Sequence, residues 1–159
     1  MISYSSNFED VILQRVFTDI AKGNYIDVGA FLPVDYSNSY ALYQKGWRGV
    51  AIEPLSFQQN WRQTRPEDVF LGAVAGASAG ESTLHIYEDA LQISSGSAET
   101  NAHWQRNGLQ PTRSIVVPVL TLNSVITGYL ADKPLHLILI DAEGMEHAVL
   151  NGLDLRHHR

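Results

Sequence analysis

Tyr25-Ile26-Asp27-Val28-Gly29-Ala30 decides how this chain is read. It is a short strand-forming run that ends at a glycine, and a glycine there lets the backbone turn tightly and lets a ligand come close. On its N-terminal side, Glu9 to Lys22 carries Val11, Ile12, Val16, Phe17 and Ile20 at helical spacing, with Gly23 as a stop. On its C-terminal side the pattern keeps alternating. Ser39 to Lys45 reads as a helix closed by Gly46, and Trp47 to Ile52 as a second strand ended by Glu53-Pro54. Phe57 to Thr64 reads as a helix and Asp68 to Val74 as a third strand. Thr83 to Tyr87 alternates like a strand with one exposed face, and Ser94 to Thr100 reads as a polar loop. Ser114 to Val119 is a further strand, which Pro118 places at an edge. Leu122 to Leu130 reads as a helix with Thr121 as N-cap. Leu135 to Ile140, apolar on both faces apart from His136, suits the middle of a parallel sheet, and Met145 to Leu150 a closing helix. Strand–helix alternation predicts βαβ units and a mostly parallel sheet with right-handed crossovers.

Composition narrows the function classes. The chain has 159 residues, 45% hydrophobic and 18% charged, which is a globular composition sized for one domain. It has no cysteine, so disulfides, thiolate metal sites and cysteine nucleophiles are excluded together. Lys plus Arg number 11 against 17 Asp plus Glu, a net charge of −6, which argues against a broad basic face for nucleic acid. The N-terminus has no basic segment followed by an apolar stretch, and no run is long enough to span a bilayer. A soluble cytoplasmic protein, with no membrane and no nucleic-acid partner, is the expectation.

In open α/β sheets ligands bind outside the carboxyl ends of the strands, and polar residues gather there. Asp27 and Gly29 end the first strand, Glu53 the second, and Asp141, Glu143 and Gly144 the long apolar one. Phe31 and Leu32-Pro33 stand where a dinucleotide fingerprint needs further glycines, so a pyrophosphate cradle is not expected. Glu53 falls near the ~20-residue offset of an acid that binds a ribose diol. Together they describe a nucleoside cofactor without a pyrophosphate: S-adenosylmethionine fits, a nicotinamide dinucleotide fits poorly. The carboxylates of Asp141, Glu143 and Glu146 suit proton transfer, a metal or a cationic group, or simply the start of a helix, whose dipole favours acids. No histidine stands near them at ligand spacing, so no metal site is expected. The six histidines, at 85, 103, 136, 147, 157 and 158, are scattered. His103 beside Trp104 reads as a solvated loop pair, and Trp47 and Trp61 read as core.

The order of these pieces resembles the FkbM family of S-adenosylmethionine-dependent methyltransferases over nearly the whole length. The similar segments are Ser3-Tyr4-Ser5 with Phe8-Glu9-Asp10, Tyr25 to Ala30 with Pro33 and Ser37-Asn38-Ser39, and Lys45 to Gly49 leading into Ile52-Glu53-Pro54. Val119 to Asn123, Ile140 to Gly144 and Val149 to Gly152 complete the set. The resemblance implies an α/β class I methyltransferase (Rossmann-like) sandwich with a mostly parallel sheet. It implies S-adenosylmethionine as cofactor and transfer of its methyl to a hydroxyl of a sugar or natural product, a small-molecule or glycan acceptor. Carried over by position, Asp27, Gly29 and Ala30 line the methionine side, with Ser37 and Asn38 at the same mouth. Glu53 holds the ribose, Ala73 and Val74 flank the adenine, and Asp141 faces the methionine amine or the acceptor. Asp141 and Glu143 are the candidate catalytic bases. The chain departs from the pattern at Ser6, Asn123 and Phe31-Leu32.

Family members continue past Leu155 to Arg159 into further strands. The expectation is therefore a single cofactor-binding domain over 1–159, incomplete at the C-terminus and lacking the C-terminal strands, with the Leu135–Ile140 strand left as an edge open to self-association. Two other functions stay open at this point: a truncated, non-catalytic cofactor-binding remnant and a nucleotide-dependent oxidoreductase.

Overall fold

The computed structural model describes residues 2–154 and Arg156; Met1, Leu155, His157, His158 and Arg159 lie outside the described residues. The chain runs α1 (Glu9–Val16), β1 (Asn24–Val28), α2 (Tyr40–Gln44), β2 (Arg48–Ile52), α3 (Gln58–Thr64) and β3 (Val69–Leu71). It continues with β4 (Val74–Ala75), β5 (Gly80–Ile86), a 3₁₀ segment (Glu88–Ile93) and α4 (Ala98–Arg106). The last elements are β6 (Arg113–Leu120), α5 (Leu122–Tyr129), β7 (Leu137–Ile140) and α6 (Glu146–Asn151). The first sheet has the order β3-β2-β1-β7 with every pair parallel. This is the mostly parallel α/β arrangement that the alternation predicts and the Rossmann-like form that the resemblance implies.

Register places the functional edge. Val28 pairs with both Ile52 and Ile140, and Ile52 pairs with Leu71, so the strands finish side by side. The backbone continues the ladder one residue further: Gly29 N–H donates to Ile52 O at 2.9 Å, Glu53 N–H to Leu71 O and Asp141 N–H to Val28 O at 3.0 Å each. The residues that follow the strands therefore share one rim.

Side-chain alternation along β1 sorts the two faces. Ile26 and Val28 join Val50, Ile52, Ala73 and Ala75 in the larger core, which α5 and α6 cover with Leu122, Val125, Ile126 and Val149. Tyr25 turns the other way, into a cluster with Leu42 and Trp47 against Leu13, Phe17 and Ile20. Asp27, two residues on, shares that second face.

Four expectations need correction. The strand read as Asp68–Val74 is two: Ala73 N–H bonds back to Leu71 O, a tight turn at Gly72, and Val74 leaves for a second sheet of order β4-β6-β5. The helix from Glu9 ends at Val16, because Thr18 and Asp19 are poor helix formers and Phe17 and Ile20 pack from a turn instead. Ser94–Thr100 is not all loop: Ser97 caps α4 by accepting from Thr100 N–H. Pro118 lies on the middle strand of the second sheet, not at its edge. It is tolerated because β4 reaches only Val119 and Leu120, so the strand has a single neighbour at Pro118. Leu137–Ile140, whose sequence suits the middle of a sheet, is half-buried and among the described residues pairs only with β1, the edge position expected where further strands are lacking. The N-cap at Thr121 is as expected, accepting from Ser124 N–H at 3.1 Å. No helix among the described residues is long and apolar enough to cross a membrane.

Candidate functional site

A cavity of about 410 Å³ opens along the shared rim. Asp27, Gly29, Ala30, Asn38, Glu53, Ala73, Val74, Asp141 and Glu143 all line it. Ser37 does not: it is buried, with its hydroxyl accepting from Tyr40 N–H at 3.1 Å and from the Arg65 guanidinium at 3.2 Å.

Gly29 holds two strand ends together. Its φ is +74°, and a Cβ there would sit 1.8 Å from the Asp141 carbonyl oxygen, so only glycine lets β1 and β7 turn this close. Glu53 stands where β2 ends, 4% exposed. One carboxylate oxygen accepts from Phe31 N–H at 3.0 Å and the other from Leu55 N–H at 2.8 Å. Burial pushes its pKa up to about 7; the two backbone bonds resist, and the nearby Asp27 adds to the rise. Asp27 is as deeply buried and is also raised, chiefly by desolvation, while a 2.5 Å bond from the Ser39 hydroxyl and the Arg65 charge pull it back.

The loop after β7 is shaped by its own acids. Glu146 accepts from Ala142 N–H at 2.9 Å and Gly144 N–H at 3.1 Å, which gives this acid a structural use. Glu143 (φ +47°) and Gly144 (φ +91°) are both left-handed, and the Glu143 carbonyl accepts from the buried Ser95 hydroxyl at 2.6 Å. Desolvation raises both cavity acids of this loop; the Glu146 and Glu9 charges add to it at Asp141, and the Asp141 and Glu146 charges at Glu143.

The sequence reading missed several walls. Ser6, Asn7 and Glu9 reach the cavity from the N-terminal segment. That segment is pinned by Asp10, which accepts from the hydroxyls of Ser3 and Ser5 and the N–H groups of Tyr4 and Val11. Although burial works the other way, these bonds hold Asp10 below the usual carboxylate range. The signal was present in Ser3-Tyr4-Ser5 and Asp10, without a role attached. Ser82, Leu84 and the Leu91–Gly96 stretch close the opposite side. Phe31 (φ +46°) and Tyr36 (φ +63°) are left-handed at the wall. Phe31 is held there by Glu53 on its N–H and by Trp61 Nε1 on its carbonyl at 2.9 Å. Such backbone persists only where its surroundings over-determine it.

His103 and Trp104 lie in α4, edge to face with each other and outside the cavity lining. Among the described residues no group of three or more His, Cys, Asp or Glu side chains is placed to hold a metal ion. The lining carries Glu9, Asp27, Glu53, Asp141 and Glu143, and among the described residues no lysine, arginine or histidine. It suits a cation with hydrogen-bonding hydroxyls and opposes a polyanion.

Searches of curated proteins and of solved structures returned no match. The family model of the methyltransferase FkbM domain matches residues 27–159, from the acid of the first strand onward. With its parallel sheet, its cavity at the carboxyl ends of the strands and this match over most of its length, the chain belongs to the FkbM methyltransferase domain family.

Proposed function

We propose that the cavity binds S-adenosylmethionine and directs its methyl group to a hydroxyl of a small-molecule or glycan acceptor. The observation that carries this reading is the lining: acids at three neighbouring strand ends and no basic side chain among the described residues. A cationic nucleoside donor is favoured by that potential, and a dinucleotide pyrophosphate is opposed by it. Glu53 suits a ribose diol, because a carboxylate oxygen that accepts one backbone N–H keeps a further lone pair. The turn at Ala73 and Val74 supplies small side chains and backbone to flank an adenine. Asp27, Gly29, Ala30 and Asn38 form the wall nearest β1, where the donor's amino-acid end would be held.

The donor would supply an electrophilic sulfonium methyl, so the protein's own task is alignment and proton removal. Alignment of two reactants contributes up to ~7–11 kcal/mol in intramolecular models. A base contributes about 10²–10⁴-fold. Asp141 and Glu143 suit that role because their raised pKa values bring them toward neutrality as proton acceptors while they still face the cavity.

The test is transfer of a labelled methyl group to a panel of sugar and polyol hydroxyls, comparing the native chain with Asp141→Asn and Glu143→Gln. Transfer should fall by about 10²-fold or more in at least one variant, with donor affinity within about twofold for Glu143→Gln. Undiminished transfer in both would remove these two residues from the chemistry.

A further inference from the structure

We propose that Arg65, acting through Ser39, is a positioning residue that fixes Asp27 as a hydrogen-bond acceptor facing the cavity. The inference rests on the donor reading above for its purpose, and on the following geometry for its existence.

Ser39 precedes α2, the place where a serine hydroxyl ordinarily caps a helix by accepting from an N–H of its first turn. It caps nothing here. Its hydroxyl instead donates to Asp27 Oδ2 at 2.5 Å and accepts from Arg65 Nη2 at 3.0 Å. Ser39 and Arg65 are 0% and 1% exposed. A guanidinium has only donors, so it cannot take the serine proton. The single Ser39 proton is therefore committed to Asp27, and the direction of the relay is fixed by the chemistry of arginine. Oδ2 is occupied on the side away from the cavity. The other oxygen, Oδ1, has no hydrogen-bond partner among the described residues, and Asp27 lines the cavity.

Arg65 is itself over-determined. It pairs with Asp68 at 2.7 Å, both side chains fully buried, and donates to Ser37 Oγ, to Pro33 O and to the Tyr25 hydroxyl. Its guanidinium carbon lies 4.2 Å from the centre of the Trp61 ring. Desolvating an ion pair this completely is weak support for stability, since apolar side chains of similar volume often do as well. A directional role toward Asp27 gives the pair its use. The charged groups around Asp27 are Arg65 and Asp68 from the α3–β3 turn, Glu53 from the end of β2 and Asp141 from the end of β7. Arg65 is the one cation in that set, and it reaches Asp27 through Ser39.

The direct readout is a carbon-13 carboxyl titration of Asp27 in the native chain, Ser39→Ala and Ser39→Thr. Loss of the hydroxyl should raise the Asp27 midpoint by about one pH unit or more, and threonine should restore most of it. The midpoint for loss of S-adenosylhomocysteine binding on the acid side should move up with it. The charge-balanced pair Arg65→Gln, Asp68→Asn should shift the carboxyl the same way; if that double variant fails to fold, Ser39→Ala decides alone. Helix α2 survives Ser39→Ala because the hydroxyl does not cap it. An Asp27 midpoint unchanged in Ser39→Ala would overturn the proposal. If the native chain binds no S-adenosylhomocysteine, the donor reading falls, and the carboxyl titration still decides the relay.

Discussion

Burial raises the pKa of Glu53 to about 7, so below that pH its neutral form is favoured. Its unfolded value is 4.5 and its folded value about 7, so between those limits the folded chain binds more protons than the unfolded one. Its contribution to stability is therefore greatest below about pH 5 and declines as pH rises through 7, reaching a cost of about 3 kcal/mol by pH 8. Glu53→Gln removes that titration. Its carbonyl satisfies only one of the two N–H groups that Glu53 serves, so the variant should be less stable than the native chain at pH 5 and should close the gap by pH 8. Melting temperatures at the two pH values check this; parallel curves would contradict it. The acids at the strand ends were legible in the sequence because a parallel sheet has only one place to bind. Ser39 and Arg65 were not, because an N-cap serine and a helix-end arginine carry no mark of the aspartate they serve until the chain is folded.

At the scale of elements, the N-terminal segment is tied down by one side chain. Asp10 collects four hydrogen bonds from Ser3, Tyr4, Ser5 and Val11, and so holds Ser6, Asn7 and Glu9 against the cavity. Asp10→Ala should cost about 1–3 kcal/mol, since its half-buried donors lose their shared acceptor. It should also release the Tyr4 amide to hydrogen exchange, while Val11 N–H keeps its bond to the Phe8 carbonyl at 3.1 Å and the β1 amides stay protected. Protection unchanged at Tyr4 would contradict that assignment. Periodicity made most elements readable, and the exceptions have local causes. Gly72 broke a run whose apolar residues serve two different sheets. Ser97 and Thr100 were read as loop because the residues that cap helices are also those that fill loops. The Leu137–Ile140 run has the sequence of a central strand, apolar on both faces, yet only β1 pairs with it among the described residues, the edge position expected where further strands are lacking.

For the whole molecule, one topology explains both the core and the site. Parallel strands in the order β3-β2-β1-β7 bring Asp27, Glu53 and Asp141 to one rim, and the β4-β6-β5 sheet with its 3₁₀ segment closes the far wall. That the main sheet is parallel was predictable from alternation; its strand order and the second sheet's contribution to the cavity were not, since alternation leaves the order open and Ser82, Leu84 and Leu91 have no sequence signature of a ligand. The central claim is that this rim is built for S-adenosylmethionine. Titration calorimetry on the native chain, Asp27→Ala and Glu53→Ala, with S-adenosylmethionine and with NAD, addresses it most directly. The account predicts one saturable site for S-adenosylmethionine, affinity reduced about tenfold to a hundredfold in each variant (~1–3 kcal/mol), and weaker or no binding of NAD. Equal affinity in all three proteins, or tighter binding of NAD, would contradict it.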